Sequence, residues 1–289
     1  MIKAENTLYL TDGRTLAFAE YGDPHGKPVF FFHGIPGSRL FRPPDEVTTR
    51  MGVRLITTDR PGSGLSTYQP GRHIPDWPGD LVQLADHLGI EKFAVAGHSG
   101  GGPYTLACAL ALPGRVVRSA TLSGAGPADT REALKTMTPV NRLGISIGRF
   151  TPWPLWRLLV WYLYRMGHAN PAYLFDRGAK DRPQADTDVL NLPGVLELNY
   201  ASQSEGLRQG TCGFALEARL LVRPWGFRLE EIRVPVHVWH GSVDVDTPVA
   251  MGQAVAARIP NSRLTIFPGE GHMALFPHWE EILSQLTTE

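Results

Sequence analysis

Residues 93–110 read FAVAGHSGGGPYTLACAL and place one serine, Ser99, among four glycines. The apolar run before the glycines is typical of a strand buried on both faces, and the run after Pro103 has helical character. The string at residues 97–101 matches G-x-S-x-G, a sharp strand-to-helix turn that lifts a nucleophile above a sheet. A Cβ at Gly97 or Gly101 would collide with the neighbouring strand and helix. The stretch therefore predicts an exposed nucleophilic serine. It does not fit a dinucleotide fingerprint, which needs glycine where Ser99 stands.

On both sides of this turn, short β-rich runs alternate with helical ones. Strands are expected at residues 7–10, 15–21, 28–32, 53–58, 92–96, 116–122, 234–239 and 263–267, and helices at 81–88, 104–112 and 249–259. Such alternation favours an α/β fold with a mostly parallel, twisted sheet of about eight strands and helices on both faces.

The alternation stops between residues 125 and 228, where no convincing strand is found. We expect one core made of residues 1–124 and 229–289, with 125–228 as a helical insertion that forms a lid. The apolar stretch at 143–166 is interrupted by arginines and prolines, so it falls short of the roughly 20 apolar residues of a membrane span. Almost every position from 155 to 164 is apolar, which predicts a helix covered on more than one side.

Composition excludes several classes of protein. Lys plus Arg and Asp plus Glu both total 28, so no binding to nucleic acid or to an acidic membrane surface is expected. Cys108 and Cys212 form no CxxC pair, and neither a disulfide framework nor a metal site is expected. The sequence predicts no cofactor. The N-terminus lacks signal-peptide features, which predicts a cytoplasmic protein, and dimerisation is left open.

A serine nucleophile needs a base and an acid that orients the base. His272 follows the last predicted strand, and Asp244 follows the strand at 234–239, so both occupy carboxyl ends of strands, where ligands bind in an open parallel sheet. Asp246 and Asp129 are the alternatives for the acid.

The site also needs donors for an oxyanion. We expect the N–H groups of Ile35 and Gly100 to supply them, since Pro36 has no N–H. His98 is expected to point away from the side of Ser99. His237 and His240 fall on opposite faces of a strand, so they cannot form a metal pair.

Five motifs together resemble the α/β-hydrolase superfamily over nearly the whole chain. They are HGIPG at 33–37, DRPGSGLS at 59–66, GHSGG at 97–101, HGSVDVDTP at 240–248 and GEGH at 269–272. The acid of that family stands three residues after a glycine, which selects Asp244 over Asp246. The resemblance also implies a helical cap at 125–228. Dehalogenases and epoxide hydrolases of this fold carry aspartate at the nucleophile position, so Ser99 disfavours both.

The resemblance implies a serine esterase that acts on a small to medium apolar substrate, with His33, Trp153, Trp156 and Trp161 as candidate substrate contacts. Two alternatives remain. A proline iminopeptidase would use a cap carboxylate, Glu197 or Glu205, to hold a substrate amino group. A receptor or lyase on the same scaffold would keep the triad without hydrolysis.

Overall fold

The computed structural model describes residues 3–127, 139–167 and 182–288, and its centre is an eight-stranded sheet. The strands are β1 Lys3–Tyr9, β2 Thr15–Gly22, β3 Lys27–Phe32, β4 Val53–Thr58, β5 Phe93–His98, β6 Val116–Leu122, β7 Val236–Gly241 and β8 Ser262–Phe267. Their order is β1-β2-β4-β3-β5-β6-β7-β8. β2 is antiparallel to β1 and β4, and the remaining pairs are parallel. The predicted α/β fold with a mostly parallel sheet is confirmed.

Helices connect the strands and cover the sheet. They are α1 Asp45–Arg50, α2 Trp77–His87, α3 Gly102–Ala111, α4 Pro139–Phe150, α5 Trp153–Gly167, α6 Gln184–Leu190, α7 Val195–Gly206, α8 Cys212–Leu221, α9 Val249–Arg258 and α10 Trp279–Thr287. Two apolar clusters form the core. One contains Leu81 of α2 and Leu106 of α3, and the other contains Trp279 and Ile282 of α10.

β5 lies near the middle of the sheet, between β3 and β6. All six of its residues are buried, because this strand is hydrogen-bonded on both edges and covered on both faces. In a parallel sheet the carboxyl ends of the strands point to one edge. The loops after β3, β5, β6, β7 and β8 therefore meet above that edge, which is where a ligand binds in such sheets.

The helical segment, defined here as residues 139–167 and 182–228, contains α4 to α8 and no strand among its described residues. Glycines permit its close approach to the core, since a Cβ on Gly206 would overlap the backbone of Gly37 and one on Gly213 would overlap that of Gly62. Ion pairs to two buried arginines add to the contact. Glu205 of α7 lies 2.7 Å from Arg39, and Glu217 of α8 lies 2.7 Å from Arg60.

The expectation that the helix at 155–164 is covered on more than one side is wrong. Helix α5 buries Trp156 and Val160 against α8, whereas Leu155 and Leu158 are each 57% exposed and Trp161 is 49% exposed. Ile147 of α4 packs on the same buried face, and the other side of this apolar helix stays exposed. Within the described ranges, no helix has the length and apolar character to cross a membrane.

Candidate active site

Ser99 stands at the turn between β5 and α3 with a φ of 54°. A non-glycine residue seldom adopts this left-handed conformation, and such strain is concentrated at functional sites. The turn has no space for side chains on its two flanking glycines. A Cβ on Gly97 would overlap Thr105 and the backbone of Gly101, and one on Gly101 would overlap the carbonyl of Phe32. The predicted collision at both glycines is therefore present.

A cavity of about 610 Å³ lies above the carboxyl edge of the sheet and includes Ser99 and His272 in its wall. One part of the wall, from α4, α5 and α8, is apolar. It includes Ile145, Trp156, Phe214, Leu221 and Val222. Another part of the wall, near α6 and α7, carries polar side chains. It includes Arg182, Asp186, Asn199 and Gln203. The helical segment therefore forms much of the cavity wall.

Asp244 and His272 are brought together from loops that follow β7 and β8. The His272 Nδ1 lies 2.9 Å from Asp244 Oδ2, and the Asp244 carboxyl is buried. The other carboxylate oxygen, Oδ1, accepts the N–H groups of Asp246 and Thr247, both at 2.9 Å. The side chain of Asp246 does not occupy this place. Its residue is exposed and lies at the cavity wall.

Thr247 is a site residue that the sequence reasoning missed. Its hydroxyl lies 2.9 Å from Asp244 Oδ2 and 3.2 Å from His272 Nδ1, so it bridges the acid and the imidazole. The motif HGSVDVDTP predicts only the local turn, because an aspartate side chain commonly accepts a backbone N–H a few residues further on. The hydroxyl contacts of Thr247 leave no such signal.

The pair shifts both protonation equilibria. Burial lowers the pKa of His272, but the Asp244 carboxylate, with smaller contributions from Asp246 and Asp186, outweighs burial and raises that pKa to about 9. Burial raises the pKa of Asp244, and the adjacent His272 more than offsets this, so the pKa of Asp244 lies below its usual value. The carboxylate is therefore ionised at neutral pH, as an acid that orients an imidazole must be.

Ile35 and Gly100 are neighbours at the cavity wall. A Cβ built on Gly100 would lie 3.1 Å from Cγ2 of Ile35 and 3.0 Å from Cδ1 of Leu221. The loop after β3 also passes close to the serine, since a Cβ on Gly34 would lie 3.5 Å from Ser99 Oγ. The two amides predicted to bind an oxyanion are thus on adjacent loops beside the serine.

The four candidate substrate contacts differ in position. Trp156 lines the cavity, and its indole N–H donates to the Ala215 carbonyl at 2.8 Å. His33 is buried beneath the loop, with Nδ1 2.6 Å from the Gly34 carbonyl, and does not line the cavity. Trp153 and Trp161 do not line it either. Helical periodicity explains this difference, because only one face of α5 is turned toward the cavity.

His98 does not point away from the site, so that expectation is wrong. Its ring lines the cavity, stacks on Phe41 with centroids 5.2 Å apart, and places Nε2 3.0 Å from the carbonyl oxygen of His272. Because His98 is the last residue of β5 and the chain turns sharply at Ser99, the regular geometry of the strand does not determine where this ring lies.

The remaining candidates lie elsewhere. Glu205 is paired with Arg39 and Glu197 is exposed, and neither lines the cavity. Asp129 falls outside the described residues. In the described part of the chain, no three His, Cys, Asp or Glu side chains are grouped so that they could hold a metal ion.

Comparison with known proteins identifies the class. Residues 27–142 match a family model described as the alpha/beta hydrolase fold. A non-heme chloroperoxidase of Streptomyces lividans is 32% identical over 284 residues, covering 95% of both chains. A bifunctional esterase/perhydrolase of Acinetobacter calcoaceticus is 26% identical, covering 92% of this chain and 90% of the relative.

Other similarities are structural or partial. The esterase structure from Exiguobacterium antarcticum superimposes with a TM-score of 0.69 at 20% identity, covering 98% of this chain and 97% of that one. A proline iminopeptidase of Xanthomonas citri is 35% identical, but over only 36% of this chain and 34% of its own length.

The fold and the serine turn define a hydrolase scaffold, and the full-length relative at 32% identity places the chain within it. The chain belongs to the α/β hydrolase fold family. It is a hydrolytic enzyme of that family.

Proposed function

We propose that this protein is a serine carboxylesterase that cleaves esters of small to medium apolar substrates through an acyl-enzyme on Ser99. One observation carries the proposal. The strained serine, with a φ of 54°, shares a cavity with an imidazole whose Nδ1 lies 2.9 Å from a buried carboxylate. This arrangement supplies a nucleophile, a base and an orienting acid in one place.

In the proposed mechanism, His272 takes the proton of Ser99 Oγ as that oxygen attacks the ester carbonyl. Asp244 fixes the imidazole through Nδ1, which leaves Nε2 for the proton transfer. The N–H groups of Ile35 and Gly100 bind the oxyanion of the tetrahedral intermediate. The imidazolium then protonates the departing alcohol, and a water molecule deprotonated by the same imidazole releases the acid.

The cavity supports an apolar substrate. Leu221 and Ile35 lie beside Gly100, and Trp156 and Phe214 add to the apolar part of the wall. A cavity of about 610 Å³ is within the range of small-molecule sites. We propose that the helical segment acts as the cap that sets this specificity.

An aminopeptidase is less well supported than an esterase. An iminopeptidase would need a carboxylate free to bind a substrate ammonium group. Glu205 is already neutralised by Arg39 at 2.7 Å, and Glu197 does not line the cavity. The iminopeptidase match covers only about a third of each chain. A receptor or lyase stays as the second alternative, and turnover kinetics separate it from an esterase.

The test compares Ser99→Ala, His272→Ala and the exposed-serine control Ser204→Ala on p-nitrophenyl esters of graded chain length. Both site variants should lose about 10⁵-fold or more in kcat while their circular dichroism spectra stay unchanged, because the residues of a triad act as one unit. Ser204→Ala should match the wild type. Turnover retained by Ser99→Ala would refute the assignment.

A fluorophosphonate that labels Ser99 supplies the second arm. An esterase should be labelled stoichiometrically and should also turn over short-chain esters many times. A protein that is labelled on Ser99 but hydrolyses no ester beyond one equivalent would instead be a receptor or a lyase.

A further inference from the structure

Two consecutive backbone N–H groups, those of His272 and Met273, donate hydrogen bonds to one carboxylate group, that of Asp186. Asp186 Oδ2 accepts the N–H of His272 at 2.9 Å, and Asp186 Oδ1 accepts the N–H of Met273 at 2.7 Å. The residue is only 3% exposed. Hydrogen bonds to an ionised acceptor are shorter and stronger than neutral ones. Both oxygens of a buried carboxylate are thus used on the loop that carries the base.

The loop that carries His272 has a glycine, with no side chain, at the point where this carboxylate approaches it. A Cβ on Gly271, the residue before the base, would overlap the Asp186 carboxyl group. Any other residue at this position would push the carboxylate away from the two N–H groups. The close contact therefore depends on both a glycine in the core and an aspartate in the helical segment.

The carbonyl group of His272 is contacted from the turn that carries Ser99. His98, adjacent to Ser99, lies with Nε2 3.0 Å from the His272 carbonyl. Burial, with the nearby His272, lowers the pKa of His98 to about 3, so its ring is neutral and can donate from Nε2. The peptide groups on both sides of the His272 Cα are therefore fixed by side chains, one from the turn that carries Ser99 and one from α6.

Apolar contacts anchor α6 at the same place. Val189 and Leu190 belong to the buried cluster that includes Met273 and Leu275 of the base loop. Leu190 and Asp186 also line the cavity that holds Ser99. Helix α6 thus lines the cavity and also contacts the backbone of the loop that carries His272.

We propose that Asp186 is a positioning residue, through which the docking of the helical segment sets the orientation of His272 for catalysis. The proposal rests on the proposed role of His272 as the base. It makes the helical segment a part of the catalytic geometry as well as a wall of the cavity. Misplacement of a reacting group by about 1 Å can cost on the order of 100-fold in rate.

The test compares Asp186→Asn and Asp186→Ala with the matched control Asp188→Asn, on the exposed face of the same helix. An asparagine keeps the shape but offers only one acceptor, and its NH₂ faces a backbone donor. We expect kcat on p-nitrophenyl butyrate and the rate constant of fluorophosphonate labelling to fall about 10- to 100-fold in both Asp186 variants. KM should change less than threefold, and Asp188→Asn should match the wild type.

Hydrogen exchange on the peptide that contains residues 269–276 provides a readout independent of activity. Exchange at the His272 and Met273 amides should be slow in the wild type and faster in Asp186→Asn. A merely structural role would lower the thermal midpoint, yet every folded site, counted by fluorophosphonate titration, would keep the wild-type kcat and labelling rate. That result would overturn the proposal.

Failure of the proposed function would look different. If Ser99→Ala and His272→Ala both retain turnover, the triad assignment fails, whatever the Asp186 variants do. If those variants are inactive and Asp186→Asn has the wild-type labelling rate, only the positioning role fails.

Discussion

At the scale of single residues, the protonation of His272 governs the proposed reaction. The base must be neutral to accept a proton, yet the Asp244 carboxylate outweighs burial and raises the His272 pKa to about 9. This shift stabilises the fold below pH 6.5, and the stabilisation is lost as the pH rises through about 9. Catalytic competence of the free enzyme changes in the opposite sense, because the neutral fraction grows over that range.

The pH profile tests this directly. We expect kcat/KM for an ester to rise from neutral pH and to level off above about pH 9, where His272 is neutral. This parameter reports the ionisation of groups in the free enzyme. Asp246→Asn removes one of the carboxylates that raise the His272 pKa, so the midpoint of this rise in kcat/KM should move to lower pH in the variant. The control is Asp86→Asn, which removes an exposed carboxylate that pairs with Arg115. It should leave the midpoint of the pH profile unchanged. A midpoint that stays fixed in Asp246→Asn would contradict the electrostatic account.

At the scale of elements, the strand-to-helix turn concentrates the local requirements of the site. β5 must be buried throughout, Ser99 must hold a positive φ, and Gly97 and Gly101, two residues before and after it, must lack a Cβ. These conditions are written in residue types, so the turn could be predicted from sequence.

Gly101→Ala should destabilise the protein by about 3 kcal/mol, since its Cβ would overlap the backbone carbonyl of Phe32, which cannot move aside. Gly79→Ala in α2 is the matched control, because nothing lies within 4 Å of its new Cβ. That change should be neutral or stabilising by up to about 1 kcal/mol, as glycine is a poor helix former. Urea denaturation measures both. Equal stability of the two variants would contradict the close contact.

Other features of the elements were not predictable. The faces of α5 could not be distinguished from a sequence that is apolar almost throughout, so Trp156 was grouped with Trp161, although only Trp156 lines the cavity. The position of the His98 ring was not predictable either, because His98 is the last residue of β5 and the chain turns sharply at Ser99.

At the scale of the whole molecule, buried charge joins the helical segment to the core. Glu217 of α8 contacts Arg72, lies 2.7 Å from Arg60 Nε, and accepts the Tyr104 hydroxyl at 2.8 Å. Arg60 in turn donates to the carbonyls of His33 and Gly34 at 2.7 and 3.1 Å. A carboxylate of the helical segment thus supports the loop that carries the predicted oxyanion donor.

Glu217→Gln should lower the free energy of unfolding by about 3–5 kcal/mol, because it leaves two buried guanidinium groups without a compensating charge. It should also lower kcat, since Arg60 orients the loop beside Ser99. Glu280→Gln, at a pair with Arg50 whose side chains are 59% and 60% exposed, should cost less than about 1 kcal/mol. Urea denaturation and ester kinetics measure the two effects. A cost for Glu217→Gln as small as that of the surface pair would contradict the buried network.

The sequence by itself determined the α/β architecture, the serine turn and the loops that follow the strands, because each depends on local residue types and on the alternation of strand and helix. Only the tertiary structure decided which side chains of the helical segment line the cavity, and that Asp186 and His98 contact His272 while Thr247 contacts Asp244. Asp186 is 86 residues from His272 and binds backbone N–H groups, which nearly every residue offers. Such a contact leaves no pattern in the sequence, because the donor is a backbone group and does not depend on which side chain the residue carries.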